Sequence, residues 1–239
     1  MSSELSDYID FGEGKIDSSM ISACFLDTNV IMAFLYQSDD RHLSCYNFIS
    51  YLIESDIEMY ISEMTVAEVI NSLARALYVD DQLEDYKNTH GSLPSINREL
   101  RSLKARFRSN WSSHIIKNDH PKLALYNERA VSKFNPFREL CYLISSSEVS
   151  IATGLELSVT VPLASSDAMI AASAITSEAN FLVSLDKDLR IQSQINILST
   201  SVKNEDYDSE YMIDLLGIQD FLIETLGEEE YQLKFNIAS

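Results

Sequence analysis

Several residue types are scarce in this chain, and each scarcity excludes a class of protein. With six Gly and four Pro in 239 residues and 46% hydrophobic residues, the composition is that of an ordinary globule rather than of a disordered chain. Three cysteines, Cys24, Cys45 and Cys141, form no Cys-x-x-Cys pair, and an odd number fits no disulfide framework. We therefore expect neither a structural zinc site nor disulfides, and a reducing cytoplasm as the location.

Long apolar runs are also missing. No stretch approaches the ~20 apolar residues that a membrane-spanning helix needs. The first twenty residues are polar and acidic, with no basic start followed by an apolar stretch, so we expect no secretory signal. We predict a cytoplasmic protein with no membrane partner. Residues 1–20 are predicted to form an acidic tail before the folded domain.

Basic residues are few, but they are not spread evenly. The chain has 18 basic and 37 acidic side chains, for a net charge of −19, a balance that disfavours nucleic acid as a partner. Residues 86–150, however, carry 11 basic and five acidic side chains, whereas the segments on either side are strongly acidic. Arg98, Arg101, Lys104 and Arg108 lie beside an apolar helical stripe. These four side chains are predicted to bind nucleic acid, the alternative being an exposed helical surface that happens to be basic.

Outside that segment, apolar runs of strand length alternate with segments of helical apolar spacing. The predicted strands are Ile21–Leu26, Ile57–Ile61, Leu157–Leu163, Phe181–Leu185 and Ile195–Leu198, and the predicted helices are Val30–Tyr36, Ser44–Ile53, Thr65–Tyr78, Ser166–Ser177 and Ile213–Leu226.

This alternation predicts an α/β fold with a largely parallel sheet covered by helices on both faces. Residues 86–150 interrupt the alternation with helical patterns alone, in which Pro121 and Pro136 are expected to start two helices. We interpret the chain as one domain over residues 21–239 that carries a basic helical insertion at about 86–150.

Four acids are predicted to meet at one edge of the sheet. Asp27 and Asp186 directly follow strand-like runs, and Glu68 and Asp167 fall in the first turns of helices that follow strands. In an open parallel sheet all four positions lie at the carboxyl ends of the strands, where ligands bind. Converging carboxylates repel one another unless a hard cation such as Mg²⁺ or Mn²⁺ binds between them, and such an ion supports phosphodiester hydrolysis.

Four sequence motifs follow one another along the chain: FLDTNV at 25–30, Thr65-x-x-Glu68, SSDAMIAASA at 165–174 and FLVSLDKDL at 181–189. Together and in this order they resemble the motifs of the PIN-domain nucleases. The resemblance implies a three-layer α/β/α sandwich with a central, mostly parallel sheet. It also implies Mg²⁺- or Mn²⁺-dependent endonuclease activity on single strands, most often RNA.

By motif position, the resemblance makes Asp27, Glu68, Asp167 and Asp186 the catalytic and metal-binding acids, with Asp188 sharing or replacing the role of Asp186. Thr28 or Asn29 would help to hold Asp27 or a metal-bound water. A role as a toxin with an antitoxin partner, in RNA processing or in defence stays open, as does the choice between RNA and single-stranded DNA. A homodimer is expected.

Structural roles are the alternative for two of these acids. Thr65 and Glu68 match a helix capping box, and Asp167 would complement a helix N-terminus. At the level of function, the rivals are a non-catalytic binding module and a haloacid-dehalogenase-type phosphatase, which has a second Asp two positions after the first. Asn29 stands at that position here.

Overall fold

The computed structural model describes residues 22–160, 163–179, 181–185 and 214–216, the last range for its backbone only. The chain divides into two compact units. The sheet unit comprises Met1–Val66 and Glu139–Ser239, and the helical unit comprises Ala67–Arg138. None of the helices in the described ranges is both long and apolar enough to cross a bilayer.

Five parallel strands form the core of the sheet unit, in the order β3-β2-β1-β4-β5. They are β1 (Ala23–Leu26), β2 (Glu58–Ser62), β3 (Tyr142–Ile144), β4 (Phe181–Val183) and β5 (Asp214–Leu216). Every residue of β1 and β4 is buried, as expected for apolar strands in the middle of a covered parallel sheet. The predicted parallel sheet is confirmed.

Helices connect these strands and pack on the sheet. In the sheet unit they are α1 (Thr28–Leu35), α2 (His42–Glu54), α7 (Glu148–Thr160) and α8 (Ser165–Ile175), and α3 (Glu63–His90) begins there and continues into the helical unit. Helix α2 buries four residues at helical spacing, Cys45, Phe48, Ile49 and Leu52, and it contacts β2. Helix α8 contacts β2 and β4. The sheet unit is the expected three-layer α/β/α sandwich.

The predicted strand at Leu157–Leu163 is wrong. Residues up to Thr160 belong to α7, which packs along α8. A Cβ at Gly154 would lie 2.3 Å from Met169 Sδ and 3.5 Å from Ala172 Cβ, so the absent side chain lets the two helices approach closely. Leu157, one turn further, is buried in the same core as Ala168 and Ala172. This packing, rather than the β-branched residues of the segment, decides its structure.

Two further expectations differ from the structure within the sheet unit. The strand β3 falls inside residues 86–150, where only helix is predicted, and it pairs with β2. The strand β5 falls inside Ile213–Leu226, which is predicted as a helix. The predicted strand Ile195–Leu198 and the acidic tail at 1–20 lie outside the described residues.

The helical unit has its own aromatic core. Besides α3 it contains α4 (Asn97–Asn110), a π-helical turn (Trp111–Ile115), α5 (Ile116–Asn118) and α6 (His120–Arg138). Trp111 and Tyr78 are each 1% exposed, and their ring centroids are 5.4 Å apart. Tyr126 packs edge-on against both rings. The prediction that Pro136 starts a helix is wrong, because α6 continues through Pro136 to Arg138.

Burial suppresses the chemistry of two cysteines. Cys24 on β1 and Cys45 on α2 are both 0% exposed, and burial raises the pKa of each thiol to about 12. Both are therefore protonated and inert near neutral pH, whereas Cys141 is half-buried. None of the three is in a disulfide.

Candidate active site

Asp27 stands at the carboxyl end of the central strand β1. Its backbone N–H donates to the carbonyl of Val183 on β4 at 3.0 Å, so the strand pairing continues through this residue. The next residue begins α1, for which Asp27 is the N-cap with extended backbone angles. Only 6% of Asp27 is exposed.

Three donors converge on the Asp27 carboxylate. The backbone N–H of Thr28 donates to Oδ1 at 2.6 Å. The Asn29 amide donates to Oδ2 at 2.8 Å, and the Ser184 hydroxyl donates to the same oxygen at 2.6 Å. A buried carboxylate is costly unless it accepts hydrogen bonds, and these bonds to a charged acceptor fix its position.

Asn29 and Ser184 also connect the ends of β1 and β4. Asn29 Nδ2 donates to Ser184 Oγ at 3.1 Å, and Asn29 Oδ1 accepts from the backbone N–H of Leu185 at 2.9 Å. We call Asp27, Asn29 and Ser184 the Asp27 clasp. Asn29 thus has the role that the sequence suggests for it or Thr28, namely holding Asp27. Ser184 was not predicted, although a serine inside the apolar run FLVSL is the signal that could have identified it.

Glu68 lies on α3, further along the helix than the sequence predicts. The helix begins at Glu63, so Glu68 is in its second turn rather than its first. The capping box is wrong, because Thr65 is inside the helix and its backbone N–H donates to Ser62 Oγ at 3.1 Å. Ser62 is therefore the residue that caps the start of α3. Glu68 is half-buried and is the second residue of the helical unit, which begins at Ala67.

Asp167 is the third residue of α8, in the first turn, as predicted. It is half-buried, and the Ser166 hydroxyl donates to its Oδ1 at 3.4 Å. The N-cap residue Ala164 provides no side-chain hydrogen bond to the helix start. An acid in this turn is favoured by the helix dipole, so the location is compatible with both the structural and the metal-binding role.

The remaining predicted acids, Asp186 and Asp188, lie outside the described residues. Within the described ranges, no group of three or more His, Cys, Asp and Glu side chains is arranged to hold a metal ion. The three predicted acids in those ranges offer only carboxylate oxygens, which is the donor chemistry that Mg²⁺ and Mn²⁺ prefer. The donor atoms of these three acids are therefore of the kind that binds a hard divalent cation.

The predicted basic stripe is on the surface of the helical unit. Arg98, Arg101 and Arg108 are exposed on α4, whereas Lys104 is half-buried. Residues 100–118 contain no Asp or Glu. The helical unit as a whole has 12 basic and eight acidic residues, a net charge of +4, so the remainder of the chain carries −23.

Two comparisons with known proteins find a similarity to this chain. A family model for the PIN domain matches residues 24–195. The chain is also similar to a solved structure, the crystal structure of VapBC2 from Rickettsia felis bound to a DNA fragment from their promoter. The identity is 19%, the similarity covers 72% of this chain and 94% of that chain, and the TM-score is 0.41. A search of curated proteins gives no significant match. Since the family match extends over most of its 239 residues, this chain belongs to the PIN-domain family, whose members are generally nucleases.

Proposed function

We propose that this PIN-domain protein is an endonuclease that requires Mg²⁺ or Mn²⁺ and hydrolyses phosphodiester bonds of single-stranded nucleic acid. RNA is the proposed substrate in preference to DNA. The observation that carries the proposal is the environment of Asp27. This residue is a buried carboxylate at the carboxyl end of the central strand, held by three donors. This edge of a parallel sheet is where ligands bind in open α/β folds.

The proposed ligands are Asp27, Glu68, Asp167 and Asp186, with Asp188 as the alternative to Asp186. A bound divalent cation would polarise a phosphoryl oxygen and lower the pKa of a water molecule. The protein's own contribution is to orient the ligands in advance. The clasp holds the Asp27 carboxylate in one orientation, and Asp167 lies in the first turn of α8, next to the positive end of the helix dipole. The place of Glu68 in this set rests on its motif position.

Nucleic acid is proposed to bind the basic stripe of Arg98, Arg101, Lys104 and Arg108. Three of these side chains are exposed on one helix, and the helical segment that follows contains no acid up to residue 118. Over a screening length of ~8 Å, a phosphate chain on α4 would experience mainly this local charge rather than the net −19.

The phosphatase alternative is disfavoured by the structure around Asn29. That chemistry needs an acid/base two residues after the first Asp, and an amide cannot transfer protons in this way. Moreover, Asn29 Nδ2 and Oδ1 are both engaged in hydrogen bonds within and beside the clasp. The non-catalytic binding module is the remaining alternative.

The biological setting is proposed from the family alone. A toxin with an antitoxin partner, a homodimeric assembly and a cytoplasmic location are all expectations of this kind. A test for the toxin role is growth arrest on expression, reversed by Asp27→Asn.

The activity test uses three labelled substrates with the purified chain: single-stranded RNA, single-stranded DNA and a generic phosphatase ester. We expect RNA cleavage with Mn²⁺ or Mg²⁺ and none in EDTA. Asp27→Asn should be inactive, while Asp40→Asn, which changes an exposed acid in the loop before α2, should keep full activity. Metal-supported binding without cleavage would identify a binding module, and cleavage of the ester alone would identify a phosphatase.

The stripe is tested by binding in EDTA, where no cleavage interferes. Changing Arg98, Arg101 and Arg108 to Glu should weaken RNA binding and reduce the log–log salt slope by about 2, since each lost phosphate contact contributes ~0.7. The matched control is the same charge reversal at three exposed cations elsewhere in the helical unit, Lys87, Lys133 and Arg138. If the two triple variants weaken RNA binding equally, the stripe contributes only non-specific charge and is not the binding surface.

A further inference from the structure

Helix α7 packs along α8 with one of its faces. Gly154 and Leu157 lie on the inner face, where α7 packs closely along α8. Ser150, on the same face, is 1% exposed. The close contact at Gly154 fixes the rotation of the helix about its axis, so the opposite face is turned to solvent by the packing itself.

That outer face is apolar. Ile151, Leu155 and Val159 follow one another at intervals of four residues and are 44%, 63% and 87% exposed. Single exposed apolar residues are ordinary, but an apolar face over about two turns of a helix indicates an interaction surface. We call Ile151, Leu155 and Val159 the α7 face.

The charged residues of α7 itself are both acidic. Glu148 and Glu156 are exposed on the same helix. Residues 139–186 contain six acids and neither Lys nor Arg. A ligand that covers the α7 face therefore meets the two carboxylates of this helix.

We propose that the α7 face binds an amphipathic, basic helix of a partner protein, with the partner's apolar side chains on Ile151, Leu155 and Val159 and its Lys or Arg side chains beside Glu148 and Glu156. A helix whose apolar residues repeat every three or four positions matches this spacing. Opposite charges at the rim favour this partner and increase its association rate. Two copies of the same face would instead bring carboxylates together, which disfavours a second copy of this chain as the occupant. The proposal is independent of the nuclease chemistry.

The test uses a synthetic probe. It is a fluorescein-labelled, 18-residue amphipathic helix of Leu and Lys, titrated with the full chain and followed by fluorescence anisotropy. We expect saturable binding that weakens at least tenfold in the Leu155→Arg/Val159→Arg variant. Leu43→Arg is the matched control, because Leu43 is a 60% exposed leucine on α2, and it should bind the probe as the wild type does. Glu148→Gln/Glu156→Gln should weaken binding severalfold and make it less dependent on salt.

Three results would overturn the proposal. The first is equal binding by the wild type and the Leu155→Arg/Val159→Arg variant, which would mean general attraction to an acidic protein. The second is equal binding of a probe in which Glu replaces every Lys. The third is a wild-type dimer, measured by light scattering, that becomes monomeric in the Leu155→Arg variant, because a second copy would then be the occupant. The substitutions are at exposed positions, and circular dichroism confirms that each variant is folded.

Discussion

Replacing Asp27 by Ala removes the acceptor on which the clasp depends. The helix cap at Thr28 is lost, at a cost of about 0.5–2 kcal/mol. The Asn29 amide and the Ser184 hydroxyl also lose their shared acceptor in a site where Asp27 is only 6% exposed. A buried donor without a partner costs about 1–3 kcal/mol. Because Asn29 still donates to Ser184 Oγ, we take the lower end and expect a total loss of about 2–4 kcal/mol.

Asp27→Asn should cost less, about 1–2 kcal/mol, since it keeps one acceptor oxygen but directs an amide group at other donors. The assay is urea unfolding in EDTA followed by far-ultraviolet circular dichroism. Asp40→Ala, which changes an exposed acid, should change stability by no more than ~0.5 kcal/mol. An Asp27→Ala variant as stable as the wild type would refute the clasp.

Adding Mn²⁺ separates the structural role of Asp27 from its proposed role as a ligand. A ligand at a hundredfold excess over its dissociation constant stabilises the folded state by ~2.7 kcal/mol. The wild type should gain this amount and Asp27→Ala much less. If both proteins gain equally, Asp27 is a structural residue and the proposed metal site is wrong.

Two further predictions concern the packing of α7 and the pH dependence of stability. Gly154→Ala should change the free energy of unfolding by less than ~1 kcal/mol, because the helix gains ~0.5–1 kcal/mol while the flexible Met169 side chain must move. Gly154→Leu should cost about 1–3 kcal/mol in the same unfolding assay. A Leu variant as stable as the wild type would contradict the close contact between α7 and α8. Hydrogen bonding to Arg129 lowers the pKa of Asp81, so the stabilisation from this pair is present above the unfolded value of ~3.9 and is lost as the pH falls through the lower folded value. Asp81→Asn should therefore cost up to ~1 kcal/mol at pH 7 for this half-exposed pair, as measured by the fluorescence of Trp111, the chain's single tryptophan. The difference from the wild type should disappear as the pH falls through the lowered pKa of Asp81. A difference that persists once Asp81 is protonated would exclude the carboxylate as its cause.

The central sheet could be predicted from sequence because its inner strands are buried on both faces. Such strands leave uninterrupted apolar runs, as in residues 23–26 and 181–183. The edge strand β3 leaves no such signal: it has three residues, and Tyr142 and Leu143 on it are largely exposed. Its pairing with β2 is a long-range interaction that local periodicity does not contain.

The α7 segment shows the opposite failure, a local signal overruled by packing. Val159 and Thr160 favour a strand, but Gly154 allows a close helix–helix contact that a strand at this position would forgo. Such a contact becomes visible only when Met169 and Ala172 are placed opposite Gly154. The glycine itself was therefore uninformative in the sequence.

The position of Asp27 was predictable because an acid directly ends an apolar run. Its hydrogen-bond partners were less so, since Ser184 is 157 residues away and meets Asp27 only through the pairing of β1 with β4. The start of α3 was misplaced by two residues because Thr65 and Glu68 match a capping motif, while Ser62, which ends a strand, provides the cap.

The burial of two cysteines gives this chain a practical property, a difference in reactivity among its three native thiols. Cys24 and Cys45 are fully buried with pKa values of about 12, so neither offers a thiolate to an electrophile while the protein is folded. Cys141 is half-buried and directly precedes the edge strand β3. A maleimide dye or spin label added to the unmodified protein should therefore couple at this one position. The edge of the sheet can then be observed spectroscopically without any engineered cysteine.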